Sequence, residues 1–212
     1  PIIIPYAMTG PEMMRAIREG DATIMTGVPR LLRALYEGIV NKARMSGKLN
    51  WFLFNTLFGF NKFLIHTTGL NIGKTLLHSL HKKVSPKLRL FISGGAALPP
   101  EIAIGLQGLG WQIASGYGLT ETSPLLTLNF KDKSKLDSTG YPAPGVEITI
   151  DSKGFEAIQD GTFTRGEVLA KGPNVFSGYH NLSEKTKEAF TPDGWFRTGD
   201  LGYFDKDGFL YL

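Results

Sequence analysis

The chain has 212 residues, 42% of them hydrophobic, which suffices for a sizeable core and excludes a wholly disordered chain. It contains no cysteine, so disulfides and Cys-based zinc or redox sites are excluded, and its four histidines form no metal-binding spacing. The net charge of +4 conceals an asymmetry: residues 1–100 carry 13 Lys+Arg against 4 Asp+Glu, or +9, whereas residues 101–212 carry 10 against 15, or −5.

A basic half of this kind can attract polyphosphate, anionic lipid or nucleic acid, but a solvated basic surface is the favoured reading and no nucleic-acid partner is expected. The missing cysteines favour a reducing compartment. No signal peptide and no run of roughly 18 apolar residues is present, so a cytoplasmic location is expected, with peripheral membrane association as the alternative. The chain lacks an initiator Met and stops inside an apolar stretch, Gly208-Phe209-Leu210-Tyr211-Leu212, after a turn at Asp205-Lys206-Asp207-Gly208. It is therefore expected to be an internal piece of a longer protein.

In chain order, Pro1 to Tyr6 is apolar and β-branched and predicts a buried strand, and Pro11 opens a short helix through Glu19. Ala22 to Met25 predicts a second strand. After Val28-Pro29, the apolar residues Leu31, Leu32, Leu35, Tyr36, Ile39 and Val40 recur at helical spacing and predict an amphipathic helix. The aromatic stretch from Trp51 to Ile65 is interrupted by Asn55, Thr56, Asn61 and Lys62, which favours a buried or half-buried helix over one lying in a membrane interface. Leu88 to Ile92 predicts a strand entering the turn Ser93-Gly94-Gly95. Pro99-Pro100-Glu101 starts a helix ending near Gly108, and Trp111 to Ala114 begins another strand.

Alternating strands and helices predict an α/β lobe over residues 1–130 with a mainly parallel sheet and flanking helices. Beyond it, strand-like runs at Val146 to Ile150, Gly166 to Ala170 and Gly199 to Phe204, broken by Gly, Pro and Asp, predict a small antiparallel, barrel-like lobe over residues 131–212.

One stretch imitates a phosphate loop: Thr68-Gly69-Leu70-Asn71-Ile72-Gly73-Lys74-Thr75 ends in Gly-Lys-Thr. The Walker pattern requires glycine where Thr68 stands, and starting from Gly69 leaves the loop one residue short. A loop that wraps phosphate with backbone N–H groups does not tolerate that deletion, and no strand ending in Asp follows to hold magnesium.

Three other segments carry the functional signal: Ser93-Gly94-Gly95-Ala96-Ala97-Leu98-Pro99, Gly116-Tyr117-Gly118-Leu119-Thr120-Glu121-Thr122 and Gly194-Trp195-Phe196-Arg197-Thr198-Gly199-Asp200. In order and approximate spacing they resemble the adenylate-forming superfamily of acyl-CoA synthetases, adenylation domains and luciferases, and the resemblance covers nearly the whole chain. The stretches Gly27 to Leu32, Leu88 to Ile102 and Gly166 to Tyr179, with Thr186 and Phe190, are most similar to long-chain fatty acyl-CoA synthetases. The chain resembles the middle of their large N-terminal domain. The upstream phosphate loop and the C-terminal domain with its catalytic lysine are not in it.

The resemblance implies ATP, Mg²⁺ and CoA as co-substrates and cofactors, and a fatty acid as the group activated. By position, Gly94, Gly95 and Ala96 leave a low wall for adenine, and Tyr117 and Gly118 meet the purine. Thr120 offers a hydroxyl to the α-phosphate, Glu121 a hard carboxylate to the metal, and Asp200 accepts from the ribose hydroxyls. Each has a plainer alternative: a strand-to-helix turn for the glycines, a core tyrosine, a turn-forming aspartate. Arg197 is open between an electrostatic role and a surface ion pair.

The implied reaction is attack of a fatty carboxylate on the α-phosphate of ATP, followed by displacement of AMP by the CoA thiol. A carboxylate is already ionised at neutral pH, so no general base is needed. Without its phosphate loop and lysine the isolated 212 residues are expected to be inactive. The alternatives are a piece of an adenylation domain that loads a carrier protein, and a structural fragment without activity.

Overall fold

The computed structural model describes residues 2–7, 9–130, 135–153, 157–158 and 163–212. The chain forms two compact units, Pro1–Ala114 and Ser115–Leu212.

In the first unit, α1 (Gly10–Glu19) begins with proline in its first turn, buries Met13 and Ile17, and carries an Arg15–Glu19 ion pair one turn apart on its outer side. Strand β1 (Ile24–Gly27) pairs in parallel with β2 (Leu90–Ser93), Ile24 opposite Leu90 and Gly27 opposite Ser93. Four helices lie between them in sequence: α2 (Pro29–Met45), α3 (Lys48–Thr68), the single-turn α4 (Gly73–Leu76) and α5 (His78–Val84). After β2 comes α6 (Pro100–Gly108), then β3 (Gln112–Tyr117), whose Gln112 N–H donates to the Arg89 carbonyl at 2.9 Å.

The core of this unit is made by Leu32 of α2, Leu88, Phe91 of β2, Leu106, Leu109 and Trp111, all without solvent exposure. Trp111 meets Phe91 edge-on at 5.4 Å and the ring of His81 at 4.6 Å. Asn61 fastens α3 to this core. Its side-chain amide donates to the carbonyl of Gly108 at 3.0 Å, and its oxygen accepts from the Ile72 N–H at 2.9 Å. The phosphate-loop mimic is thereby consumed as structure: Gly73 N–H is taken by Asn71 Oδ1, and a Cβ on Gly73 would meet Asn61 and Gly110 at 2.5 and 2.7 Å.

The second unit is antiparallel. From Ser115 onward β3 pairs with β4 (Thr127–Asn129), and β4 with β5 (Tyr141–Pro142). A separate sheet has the order β11-β10-β9-β6, built from β6 (Glu147–Asp151), β9 (Gly166–Lys171), β10 (Phe196–Phe204) and β11 (Leu210–Tyr211). A two-stranded pair, β7 (Ala157–Ile158) and β8 (Phe163–Thr164), and a short helix, α7 (Ser183–Ala189), complete it. A bridge between Gly140 and Leu210 carries the four-stranded sheet round to the start of β5, giving the curled form expected of a barrel-like lobe. Leu126, Ala170 and Phe196 form the core of this unit, with Phe176 and Phe190 packed on them.

The mixed α/β class, with parallel pairing between helices and then a smaller antiparallel sheet, is the class expected from the sequence. Two expectations require correction. The N-terminal apolar run is not a strand: Pro1 lies outside the described residues, residues 2–5 have no regular structure, and Ile2, Ile4 and Tyr6 are exposed. A β-branched run becomes a buried strand only beside a partner strand, and none pairs with it among the described residues. The parallel character also ends earlier than residue 130, because the chain turns back after Gly118 and β4 runs antiparallel along β3.

Candidate functional site

Each glycine-rich segment is shaped by a close approach. In the first unit, β2 delivers Ser93 to a turn in which Gly95 adopts a left-handed backbone, φ +80°, and the Gly94 N–H donates to the Gly27 carbonyl at 3.2 Å. A Cβ built on Gly94 would meet nothing within 4 Å, and Gly95 and Ala96 are exposed, so this turn presents bare backbone.

In the second unit, Tyr117 ends β3 between two glycines. A Cβ on Gly118 would lie 2.0 Å from the Pro124 carbonyl oxygen, so only glycine lets the chain fold back there. The fold-back is closed by Leu126 N–H donating to the Tyr117 carbonyl at 2.7 Å. Thr120 to Thr122 form one turn of 3₁₀ helix, its buried Thr122 hydroxyl bonded to both backbone groups of Leu119. Asn174 grips the turn from the loop after β9, donating to the carbonyls of Thr122 (2.9 Å) and Leu125 (2.7 Å), while Phe176 N–H donates to the Glu121 carbonyl at 2.8 Å. The backbone is thus held, and the side chains of Thr120, exposed, and Glu121, half-buried, are left to point away from it.

Asp200 is placed by a bulge. The ladder between β10 and β9 pairs Arg197 with Leu169 and then Leu201 with Glu167, so residues 198–200 leave the register, with Gly199 in the left-handed region at φ +75°. Thr198 pins the bulge by donating to the Val168 carbonyl at 2.8 Å and accepting from the Asp200 N–H at 3.1 Å. The Tyr117 hydroxyl donates to Asp200 Oδ2 at 2.7 Å. Burial, above all, raises the Tyr117 phenol well above its ordinary value, and the Asp200 carboxylate adds to this, so the hydroxyl stays protonated and remains a donor.

Of the residues singled out in the sequence, Tyr117 and Asp200 are therefore bonded to each other, and Thr120 and Glu121 share one turn directly after Gly118. Gly94, Gly95 and Ala96 belong to the first unit. Arg197 donates to Glu167 Oε2 at 2.6 Å, and this ion pair accounts for its charge.

Tyr179 escaped the reading of single residues. Its hydroxyl donates to Glu121 Oε1 at 3.0 Å, and this bond raises the phenol above its ordinary value. An open depression of about 420 Å³ adjoins it, lined by Ser177, Gly178, His180, Ser183 and Thr186, and its lining suits a polar group better than an acyl tail. No cluster of three or more His, Asp or Glu exists among the described residues, so a metal here would be held by few protein ligands.

A profile of the AMP-binding enzyme family matches residues 2–180. The chain belongs to this family.

Among AMP-binding enzymes it is 29% identical over 200 residues to a palmitoyl-CoA ligase of Gibberella moniliformis, covering 92% of this chain and 30% of that protein. It is 39% identical over 138 residues to a long-chain-fatty-acid–CoA ligase of Thermus thermophilus, covering 59% of this chain and 25% of that one. The chain spans less than a third of the length of either curated relative. Among solved structures it is similar to O-succinylbenzoate coenzyme A synthetase of Bacillus subtilis in complex with ATP and magnesium, with a TM-score of 0.66 and 24% identity over 96% of this chain and 34% of that one. That likeness establishes a shared fold.

Proposed function

We propose that this chain supplies part of the adenylate-binding surface of an ATP-dependent long-chain acyl-CoA synthetase, which joins a fatty acid to CoA through an acyl adenylate. The observation that carries the reading is the hydrogen bond from Tyr117 to Asp200, made across a β-bulge that serves no pairing of its own. It locks an aromatic ring and a carboxylate into one fixed unit, which is what a nucleoside needs: a flat face for the base and an acceptor for the ribose hydroxyls.

In this reading the Tyr117 ring stacks on adenine, and Asp200, with one oxygen engaged by Tyr117, receives the ribose hydroxyls. Gly118 lets the chain turn tightly after Tyr117, and in the first unit the Gly94-Gly95-Ala96 turn has a bare backbone edge of the kind a flat base can approach. Thr120 donates to an α-phosphate oxygen. Glu121 suits Mg²⁺, which takes one or two carboxylates and draws its other ligands from phosphates and water. Bound there, the ion would neutralise phosphate charge. Tyr179 holds one oxygen of Glu121 and so fixes the direction of the other.

The chemistry asks little of this surface beyond position. The fatty carboxylate attacks the α-phosphorus and pyrophosphate leaves; the CoA thiol then attacks the acyl carbon and AMP leaves. The residues here hold the α-phosphate in line and need take no proton in the first step.

Calorimetric titration of AMP into the 212-residue chain and its Asp200→Asn variant tests the reading. Affinity is expected to fall at least tenfold in the variant with folding unchanged. Equal affinity in both proteins, or no binding by either, would overturn it.

A further inference from the structure

Asp200 stands on a stretch of β10 that has left its partner's register, and one side chain of that partner spans the gap. Arg197 pairs with Leu169 and Leu201 with Glu167, so Thr198, Gly199 and Asp200 lie opposite Val168 alone. The residues of such a bulge leave the ladder, and their backbone shape is set by bonds brought from elsewhere. Thr198 brings two of them, to the Val168 carbonyl and the Asp200 N–H. Glu167 brings two more. Its Oε2 accepts from Arg197 Nη1 at 2.6 Å, at the foot of the bulge, and its Oε1 accepts from the Gly199 N–H at 3.3 Å, within it.

Glu167 is well placed to act as a brace and poorly placed to act as a stabiliser. Strand β9 is an inner strand of its sheet, between β10 and β6, so the Glu167 backbone is held on both sides, by Leu201 and by Asp151. Its cross-strand neighbour Asp151 carries the same charge, an arrangement that weakens a sheet. The ion pair with Arg197 is partly open to water, with 39% of the Arg197 side chain and 21% of the Glu167 side chain exposed, and a pair of that kind contributes little to stability. Gly199, by contrast, needs an external bond. At φ +75° it lies where glycine alone is at ease, and glycine leaves the backbone freer than any other residue does. Without the bond at its N–H, the backbone leading into Asp200 is held by Thr198 alone.

We infer that Glu167 is a positioning residue for the nucleotide: through Gly199 it fixes the bulge, and through the bulge it fixes the direction in which Asp200 meets the ribose hydroxyls. The inference rests on the reading of Asp200 as the ribose acceptor. Two holds then meet on one residue, Tyr117 bonding the Asp200 carboxylate at Oδ2 while Glu167 and Thr198 fix the backbone beneath it. A carboxylate that faces two neighbouring hydroxyls needs both holds, because a hydrogen bond weakens steeply as its angle closes. Glu167 acts through Asp200, so its removal should be felt by ligands that use Asp200 and not by ligands that do not.

The test compares two ligands that differ only at the ribose: AMP and its dideoxy analogue, which lacks both ribose hydroxyls. Each is titrated calorimetrically into the 212-residue chain, into Glu167→Gln and into Glu167→Ala, or Glu167→Leu if alanine does not support folding. The readout is the ratio of the two affinities. A purely structural loss lowers both affinities together, and the Arg197 guanidinium released in the variant acts on the phosphate that both ligands carry, so neither moves the ratio. The unaltered chain should prefer AMP by about tenfold or more, as expected for hydroxyls bonded to a carboxylate. Glu167→Ala should reduce that preference to about threefold or less. Glu167→Gln, whose amide oxygen still accepts from the Gly199 N–H, should keep it near the unaltered value. Equal preference in the unaltered chain and in folded Glu167→Ala would overturn the inference and leave the ribose reading standing. An unaltered chain without preference for AMP would overturn both. A loss in Glu167→Gln as complete as in Glu167→Ala would also overturn the inference, assigning the effect to the charge of the Arg197 pair instead of the brace on Gly199.

Discussion

The two units use their polar residues for different ends. In the first unit, buried polar groups serve packing: Asn61 ties α3 to the Gly108 carbonyl and the Ile72 N–H, and His81 bonds the Leu109 carbonyl at 2.8 Å beside Trp111. In the second, the half-buried and exposed polar groups beside the candidate site hold its side chains in place. Asn174 grips the turn that carries Thr120 and Glu121, Thr198 pins the bulge that carries Asp200, and Tyr117 and Tyr179 each hold one oxygen of a carboxylate. A fold needs the first kind of bond to exist; a site needs the second kind to be accurate. Substitutions in the two units should therefore separate stability from function.

The largest expected effect is on stability in the first unit. Trp111 has no solvent exposure and contacts Phe91 and His81, so Trp111→Ala should cost about 3–5 kcal/mol in urea denaturation. Its counterpart in the second unit is Glu121→Gln, which keeps the shape and removes the charge. Stability should change by no more than about 0.5 kcal/mol. If the chain serves the proposed acyl-CoA synthetase, ATP–pyrophosphate exchange by that synthetase should nevertheless fall about 100- to 1,000-fold. Undiminished exchange in a folded Glu121→Gln enzyme would remove the metal role and blur the contrast.

Asn174→Ala sharpens it, because this residue belongs to both categories. Two carbonyls, of Thr122 and Leu125, would lose their donor, at a cost of about 1–3 kcal/mol. If the grip also aims the turn, Mg²⁺-dependent ATP affinity should fall more than in a surface variant of equal stability. A loss of stability with no loss of affinity would make Asn174 a packing residue like Asn61.

How much of this was legible in the sequence follows the same division. The helical spacing of Leu31 to Val40 predicts α2, and Leu88 to Ile92 predicts β2 to within two residues, because their apolar pattern is local and strong. The helices at Gly73–Leu76 and His78–Val84 are hidden by Gly73 and Lys74 of the phosphate-loop mimic, and their role comes from Asn61 and Asn71, which no spacing reveals. The exposed Ile2 to Tyr6 run was misread for the converse reason, a strong local pattern without a tertiary partner. For the site, motif glycines mark where the backbone turns, and the sequence singles out Tyr117, Glu121 and Asp200. The bonds that unite them reach 83 residues, from Tyr117 to Asp200, and 58 residues, from Glu121 to Tyr179, and only folding brings those pairs together. Arg197 was undecidable from sequence because its partner, Glu167, lies 30 residues away on the next strand.

The smallest expected effect concerns pH and returns to the packing bonds of the first unit. His81 is buried, its Nε2 lies 2.8 Å from the Leu109 carbonyl oxygen, and its Nδ1 has no partner among the described residues. Nε2 must carry the hydrogen and donate, and burial with Nδ1 unpartnered favours the neutral ring. Burial is the main force lowering its pKa; the Leu109 bond opposes this, and the nearby Lys74 and His78 charges reinforce it. The unfolded chain therefore takes up a proton at this ring that the folded chain refuses. Stability should be full above the ordinary histidine pKa of about 6.5, fall as pH drops through that value, and stop falling once the depressed folded pKa is passed. One proton limits the slope to about 1.4 kcal/mol per pH unit. Urea midpoints at pH 7.5 and pH 5.5 for the chain and for His81→Gln, whose amide can still donate to Leu109 but does not titrate, isolate the effect. The unaltered chain should lose more stability between the two pH values than the variant does. Parallel losses in both would mean that the acid sensitivity lies elsewhere, among the carboxylates of the second unit, and that His81 contributes packing alone.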